Sequence, residues 1–415
     1  MIHSVDRTCQ APAPSDRTSQ AVVAIAGSAG SGKTTLGRAL ASALGRPILD
    51  LDTLTNPLLD RLPLRGVDGH WNTDGPHRVA VRDARYAVLR SAAGDLVAVG
   101  QSPILVAPFT AELSGGDAWR ALVDAVAPAS VTVIHLTGTP ELLESRRAHR
   151  GADRDRQRPQ VDPTAEVAVE VIGIDAALTT DQQVFRVQRA LGVRTPVDAA
   201  SALFGETFDA VLFDLDGTLV DSTAAVHRSW SRVADEFGFD LHDSAIGHGM
   251  PAAAGLSAIL GPDVGPAAGA RLIALETEDV SDVTAISGAL DILAGLHDMP
   301  WAVVTSGTPP VAGARMAAAA ISAPHIVITA DDVENGKPDP EPYLLGASRL
   351  GVDPRRCLVV EDAPAGITAG RAAGCRVLGV RGTVDLTDSG ADLVVDALDQ
   401  VEIVRRGEGF ALVPR

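Results

Sequence analysis

Apolar runs of strand length recur along this chain and alternate with stretches rich in alanine and leucine, a pattern that restricts it to sheets covered by helices on both faces. In the first half the runs are AVVAIAG (21–27), PILDLD (47–52), DLVAVG (95–100) and SVTVIHL (130–136). In the second they are AVLFDLD (210–216), WAVVTS (301–306), RCLVVED (356–362) and RVLGV (376–380). Near-continuous Val, Leu and Ile leave neither face for solvent, so the expected class is α/β with two parallel-sheet domains. At 415 residues the chain exceeds one ordinary core. A helical stretch at 181–191 leads into the Gly- and Pro-bearing segment GVRTPVDAASALFGET, which marks the join. The expected division is a tail at 1–20, a domain at 21–192, a linker at 193–206 and a second domain at 207–415.

A formal charge of −18 opposes binding to a phosphate backbone, so no nucleic-acid partner is expected and small molecules are favoured. No apolar run reaches the length of a membrane span, and residues 1–20 lack the apolar core of a signal peptide. Three distant cysteines, Cys9, Cys357 and Cys375, form no metal-type spacing, which fits the reducing cytoplasm. Lysine occurs only at Lys33 and Lys337, in a chain that otherwise uses arginine. Both lie in phosphate-type motifs, where a compact, mobile ammonium serves differently from a planar guanidinium.

In AVLFDLDGTLVDS, Asp214 and Asp216 stand two residues apart at the carboxyl end of a buried strand, and a period of two sends both toward one side. Cleaving a phosphate ester through a covalent intermediate needs a nucleophile and an acid for the leaving alkoxide, roles that suit Asp214 and Asp216 respectively. Two carboxylates facing a phosphate dianion need a cation. Glu361 and Asp362 offer hard oxygens for Mg²⁺, completing a metal set with Asp214 and Asp216, and Lys337 can neutralise nucleophile and phosphoryl oxygens. Thr305 supplies a hydroxyl, and the amides of Ser306 and Gly307 can cradle the phosphate.

DLDGTLVDS, VVTSG, GKPDPEPY and VVEDAPAG, in this order, resemble the four motifs of the haloacid dehalogenase superfamily. The resemblance implies a Rossmann-like fold with a helical cap at about 223–285, closing over small substrates, and is nearest to the sugar- and polyol-phosphate phosphatases. His248, in IGHGMP, would then sit on the cap, either meeting the substrate or as a capping or surface residue. Ser287 departs from the proline usual in relatives. A phosphomutase would use the same aspartate pair, but mutases more often carry an aliphatic residue where Thr218 stands.

GSAGSGKT (27–34) fits G-x-x-x-x-G-K-[ST] between an apolar strand and the helical TLGRALASAL. Gly27, Gly30, Ser31, Gly32, Lys33, Thr34 and Thr35 are therefore candidates to hold nucleotide phosphates, with Thr34 on Mg²⁺. Asp50 is placed to assist that metal and Asp52 to accept a substrate hydroxyl proton, unless they serve as a helix N-cap and a surface acid. The spacing resembles small-molecule kinases of the gluconate and shikimate kinase type. HLTGTPELLESRRAHRGADRDRQRP resembles their lid, with Arg147, Arg150 and Arg154 closing over ATP; the alternative is a solvated basic helix. The HWN triplet at 70–72 is a candidate acceptor contact, and His135, within a strand, is expected in the core.

Together these features predict a bifunctional enzyme: a Mg²⁺-dependent sugar, polyol or cyclitol phosphatase fused to an ATP-dependent kinase. The alternatives are a phosphatase governed by a nucleotide-sensing module, a polynucleotide kinase-phosphatase, and a phosphomutase.

Overall fold

In a computed structural model of the protein, the first apolar run becomes strand β1 (Val22–Gly27), buried along its whole length. Residues 21–62, 76–150, 167–239, 252–296, 299–382, 384, 386 and 388–415 are described, and the chain divides into two units between Val193 and Arg194.

In the first unit β1 is joined by β2 (Ile48–Asp50), β3 (Ile104–Val106), β4 (Val131–Thr137) and β5 (Ile172–Asp175), in the order β2-β3-β1-β4-β5. Every pairing is parallel. Alternate residues of β1 feed two cores: Val22, Ala24 and Ala26 pack with Leu89, Phe109 and Leu122, whereas Val23 and Ile25 pack with Leu36, Leu40 and Ile134. The strand expected at 95–100 is instead the end of helix Pro76–Ala98, and the strand lies just beyond it, at Ile104–Val106. Leu89, Ala93 and Val97 recur at intervals of four and share one core, so the run continues a helical stripe. His135, expected in the core, is half-buried.

The second unit carries β6 (Ala210–Phe213), β7 (Val220–Asp221), β8 (Thr284–Ala285), β9 (Trp301–Val304), β10 (Val327–Ile328), β11 (Cys357–Glu361), β12 (Arg376–Val380) and β13 (Leu393–Val395). Six of these form a sheet in the order β10-β9-β6-β11-β12-β13, all parallel. The chain works outward from β6 to one edge and then crosses to the other side, so a crevice opens at the carboxyl ends of the central strands. An antiparallel hairpin, β14 (Val401–Arg406) and β15 (Gly409–Pro414), follows.

The cap leaves the core through the short antiparallel pair β7–β8. Its described helices are Thr223–Phe237, Ala252–Leu260 and Gly265–Glu278. Trp230, Val233, Leu256, Ala268, Leu272 and Leu275 give it a core of its own.

The segment expected to be a linker is docked on the second unit. Arg194 pairs with Asp399 at 3.0 Å, Gln400 Nε2 donates to the Thr195 carbonyl at 2.8 Å, and Leu203 is buried with Phe208 and Phe410. Asp399 also accepts from Ser287 Oγ at 2.6 Å, a use for the hydroxyl that stands in place of proline. Gly288 follows with φ +84°, where an added Cβ would lie 2.1 Å from the Asp399 amide nitrogen. No helix among the described residues is long and apolar enough to cross a membrane.

Candidate active site

Strand β6 ends at Phe213, so Asp214 is the first residue past the sheet edge, and its amide donates to the Val360 carbonyl of β11 at 2.9 Å. That bond sets Asp214 beside Glu361 and Asp362. Thr305 leaves β9 on the other side, its amide bonded to the Ile328 carbonyl at 2.9 Å. Three neighbouring strand ends thus converge, and Asp214, Thr305, Lys337, Glu361 and Asp362 are all buried there.

Lys337 organises the cluster. Its Nζ donates to Asp214 Oδ1 at 2.6 Å, Glu361 Oε1 at 2.7 Å and the Val304 carbonyl at 2.9 Å, using all three protons. Burial alone would lower the ammonium's pKa, but the flanking Asp214 and Glu361 carboxylates outweigh it and raise it. Burial pushes Asp214 up to about 7, opposed by Lys337 and reinforced by Glu361. Asp362 is raised well above the usual carboxylate range, also by burial, with Asp214 and Glu361 adding to it.

The carboxylates of Asp214, Glu361 and Asp362 offer oxygens within 4.8 Å of one another, and Asp362 Oδ2 is buried with no hydrogen-bond partner. An orphaned carboxylate oxygen beside a second carboxylate is a donor set suited to a hard divalent cation. Glu361 is already committed: besides Lys337, Tyr343 Oη donates to Oε1 at 3.0 Å and the Ala363 amide to Oε2 at 2.9 Å. Its stronger role here is to hold Lys337. Asp216, expected among the metal ligands, lies outside this cluster, because Ser222 Oγ donates to its Oδ1 at 2.6 Å and Arg315 Nη1 sits 2.7 Å from its Oδ2. Thr218 is fully buried with its hydroxyl 3.5 Å from Asp362 Oδ1.

Without a cation, the raised Asp214 carboxyl contributes stability below its ordinary value of 3.8 that is lost as pH climbs through about 7. Cation binding requires the ionised form, so Mg²⁺ should restore stability where that loss is complete. Mg²⁺ is therefore expected to raise the unfolding temperature more at pH 8 than at pH 5.5. Equal shifts at the two pH values, measured by scanning calorimetry, would exclude Asp214 as a ligand.

The Gly307 amide, expected in the phosphate cradle, donates to Thr305 Oγ1 at 3.0 Å; phosphate binding there would exchange this bond. Ser306 sits half-buried at the same turn. His248 lies outside the described residues. Two supporting side chains, Arg315 and Glu276, lie outside the four motifs. Tyr343, Ser222 and Gly366 lie within them without a role assigned from the sequence; the structure gives Gly366 one, since a Cβ there would fall 1.5 Å from Glu361 Oε1.

In the first unit, Gly27, Gly30 and Gly32 have φ of 143°, 89° and 91°, a path closed to most L side chains. An added Cβ at Gly30 would lie 2.5 Å from the Leu143 carbonyl. Helix Lys33–Leu44 starts after Gly32 with no side-chain cap, which leaves first-turn amides for an anion. Lys33 Nζ donates to the Ser28 carbonyl at 2.6 Å. Ser31 is fully buried with an unpartnered hydroxyl, whereas Thr35 is exposed. Thr34 Oγ1 donates to Asp50 Oδ2 at 2.9 Å, the pair expected around Mg²⁺, and Asp50 Oδ1 accepts the Thr53 amide at 2.9 Å. Asp50 is thus both N-cap and neighbour of the phosphate loop. Asp52 Oδ1 lies 2.5 Å from Arg85 Nη2.

Helix Pro140–Arg150 brings two arginines to the loop: a Cβ on Gly30 would lie 3.2 Å from Arg147 Cγ, and one on Gly32 3.9 Å from Arg146 Nη1. Arg146 was not singled out by the sequence. Arg154 and residues 70–72 lie outside the described residues, as does the Arg150 side chain.

A sheet with a capped aspartate cluster and a second sheet with a glycine phosphate loop define a phosphatase joined to a P-loop domain. Family models agree: one described as haloacid dehalogenase-like hydrolase matches residues 208–374, and one described as an AAA domain matches residues 22–167. Hexitol phosphatase A of Escherichia coli is 41% identical over 210 residues, covering 49% of this chain and 97% of that protein. 2-Deoxyglucose-6-phosphate phosphatase 1 of Saccharomyces cerevisiae is 34% identical over 232 residues, covering 49% and 94%. A hydrolase crystal structure from Pseudomonas syringae is 27% identical, covering 45% of this chain and 92% of that one, with a TM-score of 0.41. The chain belongs to the haloacid dehalogenase-like hydrolases through its C-terminal unit. It is a phosphatase of that family with a P-loop kinase-like domain at its N-terminus.

Proposed function

We propose that the C-terminal unit hydrolyses the phosphate monoester of a small sugar, polyol or cyclitol through a phosphorylated Asp214. The observation that carries this reading is the buried Lys337 ammonium, 2.6 Å from Asp214, which holds a carboxylate ready to attack beside a positive charge for the phosphoryl oxygens. Asp214 attacks phosphorus and the bond to the ester oxygen breaks. Asp216 gives its proton to the departing alkoxide. It then takes a proton from water, whose oxygen attacks phosphorus and breaks the Asp214–phosphate bond, releasing phosphate and the free carboxylate. Mg²⁺, held by Asp214 and Asp362 with Glu361 beside them, would neutralise charge on the phosphoryl group. Asp216 stays outside that set as acid and base. Thr305, with the amides of Ser306 and Gly307, would receive the phosphate oxygens. The names of the relatives, a hexitol phosphatase and a 2-deoxyglucose-6-phosphate phosphatase, support a small polyol phosphate beneath the cap.

The N-terminal unit, in this proposal, transfers phosphate from ATP to a hydroxyl of a small metabolite. Gly27 to Thr35 hold the nucleotide phosphates, Thr34 and Asp50 hold Mg²⁺, Arg146 and Arg147 lie over the loop, and Asp52 takes the acceptor proton. A sensor without transfer is the second reading, favoured by the Asp52–Arg85 ion pair, which occupies a carboxylate oxygen that would have to take the acceptor proton. A metabolite screen with ATP and Mg²⁺ separates them. Lys33→Met is expected to remove ATP-dependent phosphorylation and spare phosphate release, and Asp214→Asn the reverse. No transfer to any of a broad panel of sugars and cyclitols, with nucleotide-dependent control of hydrolysis retained, would replace the kinase with the sensor.

A further inference from the structure

Arg315 is an unusual residue to find inside this unit. It stands on helix Pro309–Ala318, which follows β9, and only 4% of its surface is exposed. Nη1 is 2.7 Å from Asp216 Oδ2, and Nη2 is 3.4 Å from Glu276 Oε2. The second contact is an ion pair without hydrogen-bond geometry, and Nη2 and Nε are buried with no hydrogen-bond partner. A buried guanidinium with two unsatisfied nitrogens is costly, so its retention calls for a reason beyond packing.

Its two partners supply one. Asp216 belongs to the core motif, whereas Glu276 lies in the last cap helix, Gly265–Glu278, which packs against the helix carrying Arg315. The remaining oxygen of Asp216 is held by Ser222, which stands at the N-cap position of the first cap helix, Thr223–Phe237, and gives its hydroxyl to Asp216 rather than to the helix. Both oxygens of the core acid are therefore fixed by groups at the entry to the cap or reaching it through one arginine. Side chains so held lose rotamer freedom, and a shift of the cap helix moves Glu276 and with it the guanidinium.

We propose that Arg315 is a positioning residue that fixes the Asp216 carboxylate and, through Glu276, makes its placement depend on how the cap is seated. The inference rests on Asp216 acting as the acid and base of the reaction. In this arrangement the arginine transmits cap position to proton transfer without touching substrate. The chain thereby ties leaving-group protonation to closure over a small substrate, which disfavours turnover while the cap is displaced and water can enter.

The test exploits the chemistry of the leaving group. A sugar alkoxide must be protonated as it departs, whereas p-nitrophenolate leaves without help, and kcat/KM reports events up to that departure. With sorbitol 6-phosphate as the alkyl probe, Arg315→Gln and Glu276→Gln are expected to lose on the order of ten- to a hundredfold in kcat/KM. With p-nitrophenyl phosphate the loss should stay within about threefold, and Arg315→Lys should recover part of the alkyl activity. Glu276→Gln keeps shape and size, so it remains informative should Arg315→Gln fold poorly; circular dichroism and the unfolding midpoint establish the fold. Equal losses on both probes would make Arg315 and Glu276 merely structural, and wild-type values in folded variants would remove the link altogether. Full activity of Asp214→Asn, or wild-type hydrolysis of neither probe, would instead overturn the reading of the site beneath it.

Discussion

Asp214→Asn is expected to lower kcat for hydrolysis of a small alkyl phosphate by about 10⁴-fold or more, the scale on which loss of a covalent nucleophile is felt. The amide has the carboxylate's shape but cannot attack phosphorus. Stability should hold or rise, because burial already opposes charge at this position and raises its pKa to about 7. Steady-state kinetics beside a denaturant melt separate the two effects. Retained hydrolysis by a folded variant would move the nucleophile elsewhere.

Lys337→Met should be as damaging to turnover and, unlike the first, should also cost stability of about 3–5 kcal/mol, the range for removing one partner of a buried ion pair. The methionine leaves Asp214 and Glu361 facing each other in a dry site with their shared counter-charge gone. Lys337→Arg should not rescue activity. Three acceptors lie within 2.9 Å around a single nitrogen, and a planar fork cannot replace a point charge there. Combining Lys337→Met with Asp214→Asn should recover part of the stability, since the second change removes one of the stranded charges. Urea unfolding of the two single variants and the double variant measures this. A cost below about 1 kcal/mol for Lys337→Met would show that the pair is not desolvated.

The two lysines illustrate how far a sequence reaches. Each was conspicuous because the rest of the chain uses arginine, and the structure puts Lys337 at the centre of a carboxylate cluster and Lys33 at the opening of a helix. Arginines gave the opposite experience. Arg315 and Arg146 look like any other cation in the sequence, yet one is buried between two carboxylates and the other reaches the phosphate loop. The run at 95–100 shows the same limit at the level of secondary structure. A short apolar stretch suits strand and helix alike, and only the core shared by Leu89, Ala93 and Val97 decides between them.

By itself the sequence determined the two parallel-sheet classes, the glycine phosphate loop and the paired acids of DLDGT, because each is written in local spacing: a period of two along a strand, glycines where φ is positive, a lysine at a helix start. Tertiary structure alone decided what surrounds them. Glu361 is bound to Lys337 and Tyr343, Gly366 leaves room for its carboxylate, and Asp216 is gripped by Ser222 and Arg315. Lys337 and Tyr343 lie 24 and 18 residues from Glu361, and Arg315 stands on a different helix from Asp216, so no short period encodes those contacts; Ser222 and Gly366 are close in sequence, but only the folded loops show what they do. They meet because parallel strands carry their ends to one edge of a sheet, and burial at that edge turns ordinary side chains into a site.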